Sequence, residues 1–326
     1  MTDPATPLAT EAELLGDPES PLSQAVRHFR RDRVSMTALW VLALQVLVAL
    51  LGKFFTSGWV LFDPSVVRLV DKLRPPLSAP TRALLRPDQM PFFGVYLLGT
   101  DELGRDVFAR MLQGGFVSLS IGILAVSISV TIGILLGGTA GYYGQRKLAF
   151  VSIDTLIMRF TDVVLCFPTF FLILTVVALL PPSIFNVMIV IGATSWMSTA
   201  RFVRAEFLAQ REQDYVVAAH ALGLSERRII FRHLVPNAMA PVFVSATIDV
   251  AFAVLTESAL SFLGFGVQPP HATWGNILAD GRVYIFDAPW LFLTPGVAIL
   301  TLVLAFNLVG EGLREAMSPK LRLRSS

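Results

Sequence analysis

Cysteine is almost absent: Cys166 is the single one in 326 residues, which excludes an intrachain disulfide and a cysteine-ligated metal cluster. Its neighbours in Val-Leu-Cys-Phe-Pro are apolar, so it is expected to be a small buried hydrophobe. Charge is scarce too, at 15% of residues, with 26 basic and 24 acidic side chains leaving a net +2. No basic run interleaved with aromatics offers a groove for nucleic acid, which is therefore not an expected partner. Lysine occurs only at positions 53, 72, 147 and 320, and no Gly-x-x-x-x-Gly-Lys-Ser/Thr segment exists to cradle phosphate. Binding of ATP by that route is excluded. Neither His-Glu-x-x-His nor Gly-x-Ser-x-Gly appears, and His28, His220, His233 and His271 are scattered, which disfavours a membrane-embedded hydrolase. No catalytic residue, bound cofactor or metal site is expected.

Apolar sequence is plentiful: 54% of residues are hydrophobic and the mean hydropathy is +0.65, far above an ordinary soluble domain. A bilayer-spanning helix needs roughly 20 mostly apolar residues, because hydrocarbon offers no water to unpaired backbone groups. Val34 to Leu51 is uncharged, as is Gln113 to Gln145 with its apolar heart at about 116–138. Val163 to Ala200 is uncharged too, and Pro181-Pro182 divides it into Val163–Leu180 and Ser183–Ala200, two helices joined by a tight turn. Val242 to Leu263 carries Asp249 and Glu257, and Trp290 to Val309 carries no charge. The expectation is an all-α integral membrane protein with six transmembrane helices.

Basic residues orient it, since short positively charged loops stay in the cytoplasm. Arg27, Arg30, Arg31 and Arg33 precede span one, and Arg314, Lys320, Arg322 and Arg324 follow span six. Both termini are thus expected inside, with Arg146, Lys147, Arg159 and the long fourth connection. The outer segment from 264 to 289 holds only Arg282. Residues 1–26 are polar and proline-containing, expected as a cytoplasmic arm without a cleavable signal. The expected organisation continues with the first span and a long outer loop at 27–115, a core membrane domain at 116–312 with a cytoplasmic loop at 201–237, and a cytoplasmic tail at 313–326.

That loop contains EFLAQREQDYVVAAHALGLSERRIIFRHLVPNAMAP. Tyr215 to Leu222 suits a helix, with Ala218, Ala219 and Gly223 giving a face without bulk against which something packs closely. Gly223 suits a helix C-terminus with positive φ, and Ser225 suits the N-cap of a second helix whose Ile229, Ile230 and Leu234 can face the membrane domain and which Pro236 stops. An ordinary amphipathic loop on the membrane is the competing reading.

The pattern Tyr-x-x-Ala-Ala-x-x-x-Gly, then a basic amphipathic turn, then His233-x-x-Pro236-Asn237, resembles the EAA loop of membrane subunits of ABC-type importers. Within them the chain is similar to the C-type permeases of the dipeptide, oligopeptide and nickel group. Leu98-Gly99-Thr100-Asp101-Glu102-Leu103-Gly104-Arg105-Asp106 resembles that group's outer-loop signature. Met158-Arg159-x-x-Asp162, Glu257-x-x-Leu260-x-Phe262-Leu263-Gly264, Gln268-Pro269-Pro270-x-x-x-Trp274-Gly275 and Ala305-Phe306-Asn307-Leu308 also fit. One departure is Val217, which stands where the glutamate that names the loop belongs.

The resemblance implies a type I ABC importer permease fold, a homologous second permease subunit, two ATP-binding subunits that carry ATP and Mg, and a periplasmic or lipid-anchored solute-binding protein. It also implies that the loop is a coupling helix docked on an ATPase, with Tyr215, Ala218, Ala219, Gly223, Arg227 and Arg228 at the contact. For the arginines, anchoring at lipid headgroups is an equal alternative. Short peptides are the first cargo class, with nickel chelates, glutathione and opines open.

Asp249 and Glu257 are expensive in hydrocarbon, so they should face protein or water. Both are candidates for the substrate pathway, where a carboxylate can meet a peptide's amino group; for Glu257 a satisfied interhelical hydrogen bond is the stronger reading. Gly133, Gly137 and Gly141 form a smooth ridge for another helix, within the chain or in a second permease. Asp101 is expected to cap a surface helix in which Leu103, Val107 and Met111 form an apolar stripe. Asp101, Arg105 and Asp106 would then dock the receptor or brace the loop. A stand-alone ion-coupled secondary transporter or channel is the rival from another class.

Overall fold

The computed structural model describes residues 21–57, 62–86, 89–148 and 150–317. Most of the expected N-terminal arm, and Lys320, Arg322 and Arg324 of the expected tail, lie outside them. Two helices open the described chain, α1 (Pro21–Arg31) and α2 (Arg33–Ser57). Asp32 between them accepts from Val34 N at 3.1 Å and Ser35 N at 3.0 Å, which starts α2. The loop that follows is fixed by Asp71, fully buried and accepting from Thr81 Oγ1 at 2.6 Å and Tyr96 Oη at 2.8 Å.

Helix α3 (Val107–Tyr143) begins well before the expected span at 116–138. Asp106, not Asp101, is its N-cap, accepting from Phe108 N at 2.9 Å. No separate surface helix forms at 101–106; Val107 and Met111 belong to the first turns of α3 itself. A two-residue hairpin, β1 (Lys147–Leu148) and β2 (Val151–Ser152), pairs Lys147 with Ser152 and leads into α4 (Ile153–Leu165).

Proline then divides the longest uncharged run twice. Pro168 lacks the N–H that would continue α4, and the chain bends by 80° into α5 (Thr169–Leu179). Pro181-Pro182 makes the expected turn into α6 (Ile184–Thr194), which breaks again at Ser195 before α7 (Trp196–Arg211). Cys166 lies at the first break and is exposed, not buried, its Sγ donating to Asp162 O at 3.3 Å.

The loop after α7 holds α8 (Asp214–Ala221) and α9 (Glu226–Ile229). A π-helical turn at Ile230–Leu234 carries α9 on into α10 (Val235–Phe262). Pro236 therefore does not stop the helix; it falls in the first turn of α10, where a missing N–H is tolerated. Outside α10 come α11 (Trp274–Gly281), capped reciprocally by Thr273 and Asn276, and then α12 (Trp290–Met317).

Four continuous helical runs are long and apolar enough to cross a bilayer: α2, α3, the run from α9 through α10, and α12. The bent pair α4–α5 makes a fifth, and α6 is a shorter apolar helix. Helix α3 is the central post, packing on α2, α6, α7 and α10. Its glycine ridge meets α7 of the same chain, where a Cβ on Gly137 would sit 2.2 Å from Ala200 O.

Candidate functional site: a loop knuckle, an interhelical cavity and an ion-pair cluster

The knuckle is α8 and the turn after it. Val216 and Ala219 are 0% and 4% exposed and pack with Ile229 and Leu234 in the main core. Ala218 is exposed, so the two alanines do not share one bare face as the sequence suggests. Helical geometry separates adjacent residues by about 100°. The free face instead carries Val217 and Leu222, at 56% and 81% exposure.

Gly223 has the expected positive φ of 74°. Its N–H donates to His220 O at 3.0 Å and that of Leu224 to Ala219 O at 3.2 Å, the paired bonds of a Schellman stop. Ser225 is the N-cap residue of α9, but its side chain makes no capping bond. Tyr215 Oη donates to Gln210 Oε1 and accepts from Asn237 Nδ2 at 3.3 Å, while Asn237 Nδ2 also donates to His233 O at 2.6 Å. The two ends of the sequence pattern thus meet, tying α8 to the foot of α10. Arg227 and Arg228 are exposed and form no ion pair among the described residues. Glu226 between α8 and the span pairs with Arg146.

A cavity of about 460 Å³ opens between α3, α5, α6, α7 and α10. Asp249 lines it with Ser129, Thr194, Ser195, Ser198 and Thr256. Glu257 does not: it is 0% exposed, accepts from Ser261 Oγ at 2.7 Å and Ser118 Oγ at 3.3 Å, and is absent from the lining. Ser118 Oγ in turn accepts from Trp274 N at 3.2 Å, so Glu257 joins α3 and α10 to the start of α11. The two carboxylates thus have different surroundings: Asp249 lines the cavity, and Glu257 has the interhelical hydrogen bonds that are the stronger reading of it from sequence. The cavity hydroxyls are a feature that sequence reasoning missed; its only signal was small polar residues dispersed in apolar runs.

At the N-terminal end of α3, Asp101 is 0% exposed and accepts from Arg105 Nε at 2.7 Å and Arg110 Nη1 at 2.6 Å. Arg110 Nη2 reaches Asp280 Oδ2 on α11 at 3.0 Å, and Arg105 Nη2 reaches Glu102 Oε1 at 3.0 Å. Asp106, 7% exposed, is engaged as the helix cap. These three candidates form a brace, with little surface of their own. Burial pushes the Glu102 carboxyl up, helped by the charges of Asp101 and Asp280. Arg110 and Asp280 complete a cluster whose long-range member no local pattern announces.

Residues 129–323 match the model of the "binding-protein-dependent transport system inner membrane component" family, and 20–76 match that of the N-terminal membrane domain of oligopeptide transport permease C. The chain is 35% identical to a dipeptide transport system permease, DppC, of Alkalihalophilus pseudofirmus, over 98% of its own length and 99% of the relative's. It is 39% identical to a di/tripeptide permease of Pseudomonas aeruginosa, over 93% of each chain. With the oligopeptide permease OppC of Bacillus subtilis it shares 32% over 99% and 97%. Among solved structures, a subunit of the inward-facing MetNI methionine ABC transporter aligns with 17% identity and a TM-score of 0.49, covering 65% of this chain and 98% of that one. The chain therefore belongs to the family of binding-protein-dependent transport system inner membrane components, a transport family whose membrane subunits are not themselves catalytic.

Proposed function

We propose that the chain is the C-type permease subunit of an ATP-driven peptide importer in a bacterial inner membrane. The relatives named for dipeptide, tripeptide and oligopeptide transport support short peptides as cargo. It crosses the membrane six times with both termini in the cytoplasm: α2, α3, α4–α5, α6–α7, α9–α10 and α12. It pairs with a homologous second permease, two ATP-binding subunits and a solute-binding protein. ATP and Mg are held by the ATPase chains, and this chain binds no cofactor.

The observation that carries this reading is the knuckle. Its inner face is locked into the core by Val216 and Ala219, and its outer face presents Val217 and Leu222 bare. An apolar helix face on the surface needs a covering partner. Tyr215, held by Asn237, links any displacement of α8 to α10, and α10 borders the cavity. Closure of ATPases beneath would move α8, and rigid-body motion of α10 would switch the cavity's access. Ala218, Gly223, Arg227 and Arg228 stand at the rim of that contact, and Ala219 supports it from behind. At the outer end, Asp101, Arg105 and Asp106 shape the surface on which the receptor docks.

Gly223→Arg tests the coupling. The expected result is a complex that inserts and assembles yet loses ATP-driven uptake; normal uptake by that variant would remove the role.

A further inference from the structure

The cavity holds one charged side chain, and that charge has no partner. No described residue hydrogen-bonds or ion-pairs with the Asp249 carboxylate, and no arginine or lysine lines the same space. A lone carboxylate in a membrane helix is costly and marks a functional site. The hydroxyls around it are oriented by their own helices. Thr194 Oγ1 donates to Val190 O at 2.6 Å, Ser195 Oγ to Ile191 O at 2.7 Å and Thr256 Oγ1 to Phe252 O at 2.8 Å. In these three the hydroxyl proton is spent on backbone, and the oxygen lone pairs are what remains for a ligand. Together with the Asp249 carboxylate they suit a ligand that donates and is positive.

A bare divalent metal does not meet that description. Such ions take several carboxylate or imidazole ligands, and no group of three or more His, Cys, Asp or Glu exists among the described residues. An ammonium group does, since it offers three donors to one carboxylate and neighbouring hydroxyls. The volume of about 460 Å³ lies in the range of small-molecule sites, roughly 300–1,000 Å³. Ser129, Thr169 and Ser198 add further hydroxyls, and the rest of the lining, Phe170, Ile173 and Phe252 among it, is apolar and carries no second charge.

We propose that Asp249, in the cavity that Thr194, Ser195 and Thr256 also line, is a transit subsite for the N-terminal ammonium of the peptide. The site reads a group that peptides of every sequence share and leaves their side chains to largely apolar walls. This assignment rests on the reading of the chain as a peptide permease subunit.

The test is ATP-driven uptake of alanyl-alanine and lysyl-alanine into proteoliposomes holding the complete transporter, purified through a tag on this chain, with saturating receptor. Asp249→Asn is expected to lower uptake of both peptides on the order of tenfold, while Asp249→Glu, which keeps the charge, retains most of it. Equal uptake by wild type and Asp249→Asn overturns the assignment, as does a loss confined to lysyl-alanine, which would place the side-chain ammonium there instead. Equal loss in Asn and Glu variants at unchanged complex yield also overturns it, since shape and not charge would then matter. If Asp249→Asn does not assemble, Thr256→Lys is compared with Thr256→Met. A tethered ammonium beside the carboxylate should block uptake about tenfold more than a methionine of similar length, and equal uptake in the two sinks the proposal. A wild-type complex that moves no peptide with ATP removes the peptide reading itself; a working wild type with an indifferent Asp249→Asn removes only the subsite.

Discussion

Asp101 has both carboxylate oxygens engaged. One accepts from Leu103 N at 2.9 Å and Arg105 N at 2.8 Å, the other from the Arg105 and Arg110 side chains. Removing one member of a buried ion network leaves the others uncompensated. Asp101→Ala is therefore expected to destabilise the protein by about 3–5 kcal/mol, read as loss of monodisperse protein on heating in detergent. Glu102, its neighbour in the same cluster, has the opposite expectation. Its folded pKa is raised above 4.5 by burial first and by Asp101 and Asp280 second, so its ionised form opposes folding above the folded pKa and is harmless below 4.5. Glu102→Gln should raise thermal stability at neutral pH, and the gain should vanish as the pH falls through that window. Asp71 behaves in reverse. Burial pushes it up, but hydrogen bonds from Thr81 and Tyr96 together outweigh that and lower it below 3.8. Its stabilisation is complete above that value and is lost only in stronger acid. The identity of Asp101 as a special residue was legible from its signature. Its role was not, because Arg110 and Asp280 meet it only after α3 and α11 have packed, and Asp280 lies 170 residues from Arg110.

At the scale of elements, the fit of α3 to α7 depends on missing side chains. A Cβ at Gly137 would meet Ala200 O at 2.2 Å and Ala200 C at 3.0 Å, both backbone atoms of a packed helix that cannot swing aside. Overpacking of this kind costs typically 1–3 kcal/mol, so Gly137→Ala should lower the thermal midpoint in detergent while leaving membrane insertion intact. Gly223 differs, because nothing lies within 4 Å of the place a Cβ would take there and only its φ of 74° resists substitution. Gly223→Val should cost roughly 1–2 kcal/mol, and Gly223→Asn clearly less, since asparagine tolerates the left-handed region. Chemical or thermal unfolding of the two variants ranks them directly. The spacing of Gly133, Gly137 and Gly141 announced the ridge, and Gly223 announced the helix stop, because both depend on local geometry. The continuation through Pro236 was hidden, since a single π-helical turn shifts register without any marker in composition. The split at Pro168 was equally masked: hydropathy counts residues and cannot see an 80° bend inside an apolar run.

Over the whole molecule, the number of crossings turns on the tip at Pro181-Pro182. At about 1.5 Å per residue, the 11 residues of α5 or α6 reach roughly 17 Å, only about half of the ~30 Å hydrocarbon thickness. The hairpin of α5 and α6 therefore reaches the outer surface only if α4 and α7 carry the remaining depth. Two ion pairs clamp those helices side by side: Arg204 Nη2 meets Asp154 Oδ2 at 2.6 Å in the first turn of α4, and Arg201 pairs with Asp162 in its last turn. Charge thus runs along α4 as far as the bend, and only the hairpin beyond it is uncharged. A re-entrant hairpin and a complete pair of crossings share this arrangement at the inner face and differ only in where the prolines emerge. In a Cys166→Ser background, Pro182→Cys should react with a membrane-impermeant maleimide added outside intact cells, whereas Leu222→Cys, 81% exposed on the knuckle in the native residue, should react only after the membrane is opened. Labelling of both positions solely from the inside would make α5 and α6 a re-entrant loop and reduce the crossings to four. The knuckle would keep its cytoplasmic side in that case, because removing two crossings preserves parity, so ATPase docking and the six-span topology stand or fall on separate labels.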